Sequence, residues 1–263
     1  MKFLISGASS KFAQVVGSEL SIIGHDVTII GRDTSPSFSL ENPELSLSPL
    51  LESHDVFIHF AHSFENQEDP DLNASSAMKI SSIINMASTN FKKCIYISSD
   101  SANLRSLSAY GKSKYRAERY FLKSDRSVVL RIGIILDESI ASPFHILQKI
   151  VGFTKVLIFP KPDRLIFSVT NIEEILNCIM QLTSDGRAGG PFGIRSYSER
   201  LSIRGVLKKA GTEPKIVISF PLKITQILCS IVDKSKTLGR PADSILSILI
   251  EPEQIEGINY GLN

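Results

Sequence analysis

The sequence predicts an α/β fold: a doubly wound parallel sheet with a smaller C-terminal lobe laid over its edge. Three observations predict it. Short, nearly continuous apolar runs alternate with segments of helical periodicity through the first half of the chain. Those runs lack the alternation of a half-solvated strand, so they belong in a sheet covered on both faces. The first run passes through a small-residue turn straight into a helical pattern.

Lys2 to Ser6 is the first strand, closed by Gly7-Ala8-Ser9-Ser10. Phe12, Val15, Val16, Leu20 and Ile23 then recur at helical spacing up to Gly24, a helix stop. Val27 to Ile30 is the second strand and ends at Gly31-Arg32. Residues 33–49, rich in Ser and Pro, read as loop with room for one helical turn. Asp55 to Ala61 is a strand, Ser75 to Thr89 a helix, and Lys93 to Ser98 a strand. Ala109 to Leu122 is a polar-faced helix, and Ser127 to Ile135 a buried strand. Beyond residue 136 the rhythm loosens. Helices are expected at Pro143–Val151, Asn171–Leu182 and Leu201–Ala210, and short strands at Val156–Phe159 and Phe192–Arg195.

Composition narrows the class. With 263 residues, 43% of them hydrophobic, the chain can bury a large core. Charged residues are 21% without long like-charge blocks, which excludes intrinsic disorder. A formal net charge of +2 argues against the concentrated basic face of a nucleic-acid binder. Cys94, Cys178 and Cys229 are too scattered for a disulfide framework, and no His, Cys or carboxylate cluster has metal-ligand spacing. No run reaches the roughly 18 apolar residues of a membrane span. Ile216 to Val232 is interrupted by Pro221 and Lys223, and the apolar run after Met1 is too short for a signal-peptide core. A soluble cytoplasmic protein is expected. Ile224 to Val232, flanked by Lys223 and Lys234, is expected to pack on the second lobe or a partner rather than lie on a membrane.

A strand, a small-residue turn and a helix start form an anion site, because backbone N–H groups and the helix dipole face the turn. Gly7-Ala8-Ser9-Ser10-Lys11-Phe12-Ala13 has the spacing of a Rossmann-like dinucleotide turn. Ser10 and Ala13 stand where the second and third glycines would be. At the end of the second strand an acidic residue would bind ribose hydroxyls, whereas Arg32 offers a charged fork that suits a 2′-phosphate. Lys11 adds a second charge. The pattern points to NADP in preference to NAD. Residues 1–136 read as the dinucleotide-binding domain, rejoined by about 166–182, and residues 137–263 as the smaller substrate lobe.

Tyr110 and Lys114 lie four residues apart and share one helix face. A phenol titrates near pH ~10, too high for efficient proton exchange at neutrality. A neighbouring ammonium is expected to lower that value and make Tyr110 a general acid/base for carbonyl–alcohol interconversion. Ser99, at the end of the preceding strand, is expected to hydrogen-bond the same substrate oxygen. His59 sits inside an apolar strand and reads as structural; His62, at that strand's end, is the candidate substrate contact.

These residues resemble the short-chain dehydrogenase/reductase superfamily, above all its extended branch of nucleotide-sugar epimerases, dehydratases and reductases. Asp55-Val56-Phe57-Ile58-His59-Phe60-Ala61 resembles the strand whose end, here Ala61, lines the cofactor. Asn73 stands where the family has an Asn opening the next helix. Tyr96-Ile97-Ser98-Ser99 resembles the strand carrying the catalytic hydroxyl. Tyr110-Gly111-Lys112-Ser113-Lys114 with Glu118 resembles the catalytic helix, and Leu130-Arg131-Ile132-Gly133 the run that follows. The resemblance implies a nucleotide-sugar substrate, with Arg164 and Arg240 as phosphate contacts, and a homodimer through the Ala109–Leu122 helix. It implies a cofactor site of Gly7, Ser9, Ser10, Lys11, Phe12, Ala13, Arg32, Ala61, Tyr110 and Lys114. The chain departs from the family in the cofactor turn, in a short Ser99-to-Tyr110 gap and in a small second lobe.

Two readings follow. The first is an NAD(P)-dependent oxidoreductase or epimerase acting on a nucleotide-activated sugar, with reduction of a ketosugar favoured by Arg32. A dehydratase is disfavoured because Asp100 is followed by Ser101 rather than by a second acid. The second is a non-catalytic dinucleotide-binding regulatory relative, motivated by the altered turn.

Overall fold

The computed structural model describes residues 1–63, 71–104, 106, 108–137, 140, 143–160, 162–163, 165–184, 192–196 and 199–220. In chain order, β1 (Lys2–Ser6), α1 (Lys11–Ile22) and β2 (Asp26–Ile30) are followed by α2 (Leu47–Ser53), β3 (Val56–His59) and α3 (Leu72–Met86). Next come β4 (Lys93–Ser99), α4 (Ala109–Phe121), β5 (Ser127–Ile132) and β6 (Ile134–Ile135). The second half holds α5 (Pro143–Thr154), β7 (Val156–Pro160), β8 (Ile166–Thr170), α6 (Ile172–Ser184), β9 (Phe192–Ser196), β10 (Glu199–Ser202), α7 (Ile203–Lys209) and β11 (Ile216–Phe220).

The main sheet has six strands in the order β2-β1-β3-β4-β5-β9, and every pairing in it is parallel. The continuous apolar runs are buried as expected: β3 and β5 are buried at every position. One face packs against α1 and α6, through Phe3, Ile5, Val16, Leu20, Ile175 and Ile179. The other packs against α2, α3 and α4, through Leu4, Phe57, Leu51, Ile80, Ile84 and Phe121. The chain order reverses between β1 and β3, the switch point beside whose carboxyl ends ligands bind in open α/β sheets.

The second half contributes in two ways. Helix α6 and strand β9 lie with the main sheet. Strands β6, β8 and β10 form a separate three-stranded sheet, and β7 and β11 a two-stranded parallel one. These surround a third core of Phe144, Val151, Leu157, Phe159, Ile203 and Val206.

The single strand expected over Ser127–Ile135 is two strands broken at Gly133. A Cβ at Gly133 would fall 2.2 Å from the carbonyl oxygen of Ser168, so the break lets β8 pass close by. Residues 33–49, expected as loop with room for one helical turn, carry a 3-10 turn at Pro43–Leu45 and the start of α2, whose Leu47 and Leu51 are buried in the core. No described helix is long and apolar enough to cross a membrane. The stretch Ile224–Val232 lies outside the described residues.

Candidate functional site

The parallel register brings the ends of β1, β2, β3 and β4 to one edge. At the end of β1, Gly7 has φ 103°, a left-handed backbone that costs a residue with a Cβ about 1–2 kcal/mol. A Cβ there would also lie 3.1 Å from the amide nitrogen of Ala61, the residue after Phe60 at the end of β3. The N–H groups of Gly7 and Ala8 donate to the carbonyl of Ile30, at 2.9 and 3.2 Å, and tie the turn to β2. Gly31 answers on the other side: a Cβ there would meet the Ala8 methyl at 2.8 Å.

The two replaced glycines leave the cradle small. Ser10 is the N-cap of α1, and its hydroxyl accepts from the Ala13 amide at 3.4 Å, folding the side chain back onto the helix. Ala13 is fully buried, and its methyl packs between helix and sheet. Phe12 stands edge-on to Phe60, with ring centroids 4.9 Å apart. Ser9, Lys11 and Arg32 are exposed at the rim. Gly31 donates to the Thr34 hydroxyl at 2.7 Å and accepts from Phe38 N–H at 2.8 Å, which folds residues 31–38 into a tight loop bearing Arg32 at its start. Glu41 is held below the usual carboxylate range by the Ser39 hydroxyl first and in smaller part by Arg32. The small residues at 7, 8, 10, 13, 31 and 61 fit a dinucleotide lying across this edge.

Helix α4 carries Tyr110 and Lys114. Its N-cap Ser108 accepts from the Gly111 N–H at 2.9 Å. Tyr110 projects beside Ser99, whose own hydroxyl lies 2.9 Å from that of Ser101. Burial pushes the Tyr110 phenol up to about 12, and a hydrogen bond with Ser99 opposes that rise. The imidazole of His62 stands edge-on to Tyr110, centroids 5.0 Å apart. His62 is held well below the ordinary histidine value, by burial first and then by the charges of Lys114 and His59.

Lys114 occupies a place the spacing did not anticipate. Its ammonium is buried, donates to the Ile97 carbonyl at 2.8 Å and lies 4.8 Å above the Tyr96 ring. It is 5.9 Å from the centre of the Tyr110 ring. Burial pushes Lys114 down to about 7, against the opposing charge of Glu118. The expectation that this ammonium lowers the phenol's pKa is therefore corrected: here desolvation dominates, and Tyr110 stays a firm proton holder.

Ser99, Tyr110, Lys114 and His62 thus converge beside the Gly7 turn. Arg164 and Arg240 lie outside the described residues. Two contributors went unnoticed as functional in the sequence. Asn73, on the first turn of α3, grips the Ser63 backbone with both side-chain atoms: it accepts from Ser63 N–H and donates to the Ser63 carbonyl, each at 2.8 Å. That clamp fixes the chain just past His62. Gly111 allows the 99–108 loop to lie against α4, because a Cβ there would sit 2.3 Å from the Ser101 carbonyl oxygen. The family-like motifs contained both residues, but only the geometry gives them tasks. Among the described residues no cluster of His, Cys, Asp or Glu could hold a metal ion.

No family model matches the chain, and no curated protein matches it in sequence. Solved structures do share its fold. A dTDP-4-dehydrorhamnose reductase from Bacillus anthracis, in complex with NADP, is 16% identical with a TM-score of 0.66, over 86% of each chain. A UDP-glucose 4-epimerase from Thermotoga maritima, with UDP-glucose, is 14% identical with a TM-score of 0.62, over 84% of this chain and 86% of the epimerase. The Bordetella bronchiseptica enzyme WbmG, in complex with NAD, is 15% identical with a TM-score of 0.62, over 84% of this chain and 81% of its own. The chain shares the doubly wound Rossmann-like fold of these three structures.

Proposed function

We propose that this protein is an NAD(P)-dependent oxidoreductase of a nucleotide-activated sugar, acting as a ketosugar reductase with NADP as its cofactor. The observation that carries the reading is the convergence of Ser99, Tyr110 and Lys114 beside the glycine cradle. Gly7, Ser10, Phe12, Ala13 and Ala61 would hold the dinucleotide, with Ser9, Lys11 and Arg32 on its phosphates and Lys114 on the nicotinamide ribose. When bound, the nicotinamide supplies the hydride. The chain supplies the proton. A phenol at about 12 is protonated at neutral pH, so Tyr110 enters as a donor toward a carbonyl oxygen. Ser99, hydrogen-bonded to Tyr110, orients that oxygen. His62 is kept neutral beside the phenol and contacts the sugar. Arg32, whose charged fork suits a 2′-phosphate, favours NADPH as reductant and so reduction over epimerisation. The set of Ser99, Tyr110 and Lys114, which a pure sensor would not need, counts against a regulatory role that dispenses with catalysis.

Calorimetric titration with NADPH and NADH tests the cofactor. Preference for NADPH, lost in Arg32→Ala, is expected; binding of neither would refute the reading. Tyr110→Phe is expected to cut turnover by about 10²–10⁴-fold while leaving NADPH affinity intact. Retained turnover would remove Tyr110 from the reaction.

A further inference from the structure

Tyr110 is the second residue of α4, on the turn where backbone N–H groups lack helical partners. A phenol that delivers a proton along one line needs its ring fixed as well as its hydroxyl, since a misplacement of about 1 Å can cost about 10²-fold in rate. A hydrogen bond at the tip leaves the ring free to turn about its own long axis. The ring itself is met from two directions. The Lys114 ammonium lies 5.9 Å from its centre, and the His62 imidazole stands edge-on at 5.0 Å with 77° between the planes. Edge-on aromatic pairs are favourable with centroids about 4.5–7 Å apart.

His62 projects from a base pinned on both sides. On one side, Phe60 N–H donates to the Ser6 carbonyl at 3.2 Å. There the chain also runs so close to Gly7 that a Cβ on Gly7 would lie 3.1 Å from the Ala61 amide nitrogen. On the other side, Asn73 of α3 holds Ser63 by its N–H and its carbonyl, each at 2.8 Å. One neighbour of His62 is thus tied to the glycine turn and the other to a helix. His59, three residues earlier, makes the contrast. Its ring is spent in the core, against Tyr96 and Phe121 at 5.7 and 5.6 Å, and its Nδ1 on the Ser6 hydroxyl. His62 carries its ring out of that core to Tyr110.

We infer that His62 is a positioning residue whose ring, standing edge-on to Tyr110, registers the phenol against the glycine cradle. The inference rests on the reading of Tyr110 as the proton donor. The path of contacts is short: Gly7 against Ala61, Ala61 to His62 along the chain, and His62 against the phenol ring. A dinucleotide seated on the cradle would therefore meet a phenol already set at a fixed offset from it. What the contact requires at position 62 is an aromatic ring, so a ring without nitrogen keeps it and a polar chain without a ring does not.

The test measures flipping of the Tyr110 ring in the cofactor-free protein, by relaxation dispersion of its ¹³Cε signals, assigned by their loss in Tyr110→Phe. His62→Ala is expected to speed the flip by about 2–10-fold, the loss of one edge-on contact. His62→Phe is expected to return it toward the parent rate, and His62→Gln to leave it fast. Asn73→Ala, which frees Ser63 but keeps the imidazole, is expected to give an intermediate rate. A merely structural role would lower the unfolding midpoint without this ranking. An unchanged rate in folded His62→Ala would overturn the proposal, and so would rescue by Gln equal to that by Phe. Should His62→Ala fail to fold, Asn73→Ala decides, and the parent rate in that variant overturns the proposal. NADPH is then added to the parent. A shift of the Tyr110 signals supports the donor reading; signals that ignore saturating NADPH would remove that reading and leave the positioning contact standing.

Discussion

His59 shows at the residue scale how this chain uses a polar side chain inside a core. Its ring lies among Phe57, Tyr96 and Phe121, at centroid distances of 5.6, 5.7 and 5.6 Å. Its Nδ1 is 2.6 Å from the Ser6 hydroxyl, which bridges β3 to β1. Burial pushes the imidazole down to about 3, with the charge of Lys114 adding to the effect. The folded state therefore binds the neutral form, while the unfolded chain takes up a proton near pH ~6.5. Stability from this group is complete above that value and is lost as pH falls from about 6.5 toward about 3. The slope is about 1.4 kcal/mol per pH unit, so the loss by pH ~4 is on the order of 3 kcal/mol. Urea unfolding of the Ser6→Ala/His59→Phe double variant should show a flatter profile between pH 4 and 6.5 than the parent (Ser6→Ala removes the hydroxyl that His59→Phe would orphan). Parallel profiles would mean another group drives acid unfolding. The sequence conveyed that His59 is structural, since it interrupts an apolar strand. It could not convey where Lys114 goes, because spacing along a helix gives a face and not a partner. The carbonyl of Ile97 and the ring of Tyr96, which claim the ammonium, come from a different strand.

Helix α4 and the loop before it act as one element. The loop is stitched by Ala102 N–H to the Ser99 carbonyl at 2.9 Å and by Ser106 N–H to the Asn103 carbonyl at 3.1 Å. It then lies on Gly111. Substituting Gly111→Ala gains about 1 kcal/mol in helix propensity. It also places a Cβ 2.2 Å from the Ser106 hydroxyl and 2.3 Å from the Ser101 carbonyl oxygen. The hydroxyl can rotate away, but the carbonyl belongs to backbone, and overpacking of this kind costs about 1–3 kcal/mol. The clash outweighs the propensity gain. Thermal melts should show a lower midpoint for Gly111→Ala, and its kcat should fall more than its NADPH affinity, since Tyr110 is displaced from Ser99. A variant as stable as the parent would show that the loop yields. Elements of this first half were legible in sequence to within a few residues, because buried parallel strands leave long apolar runs and their helices leave clear periodicity. Strands β8, β10 and β11 were not. Leu201 was assigned to a helix, yet β10 takes it and α7 starts only at Ile203, where Ser202 caps it. Ile166–Thr170 is interrupted by Ser168, and Ile216–Phe220 is largely exposed and runs on into a longer apolar stretch, so neither stands out from its surroundings as a strand.

Over the whole molecule, the sheet is assembled from two distant parts of the chain. Five strands arrive in succession, each neighbour joined through a helix. The sixth, β9, reaches β5 only after the chain has built β6 through β8 and crossed α5 and α6. The candidate site uses none of that last strand: Gly7, Ala61, Ser99, Tyr110 and Lys114 belong to the first five strands and their helices. Closing so long a loop costs entropy before any contact compensates it, so β9 docks late on the way to the folded state and leaves early. Amide exchange in native conditions should therefore open Phe192–Ser196 at lower free energy than Lys93–Ser99, and equal protection would place β9 in the same cooperative unit. The edge that holds the candidate site would thereby finish forming while the opposite side of the sheet is still open to water. A disturbance entering through the late strand would be felt as kinetic fragility of the fold long before it altered the chemistry.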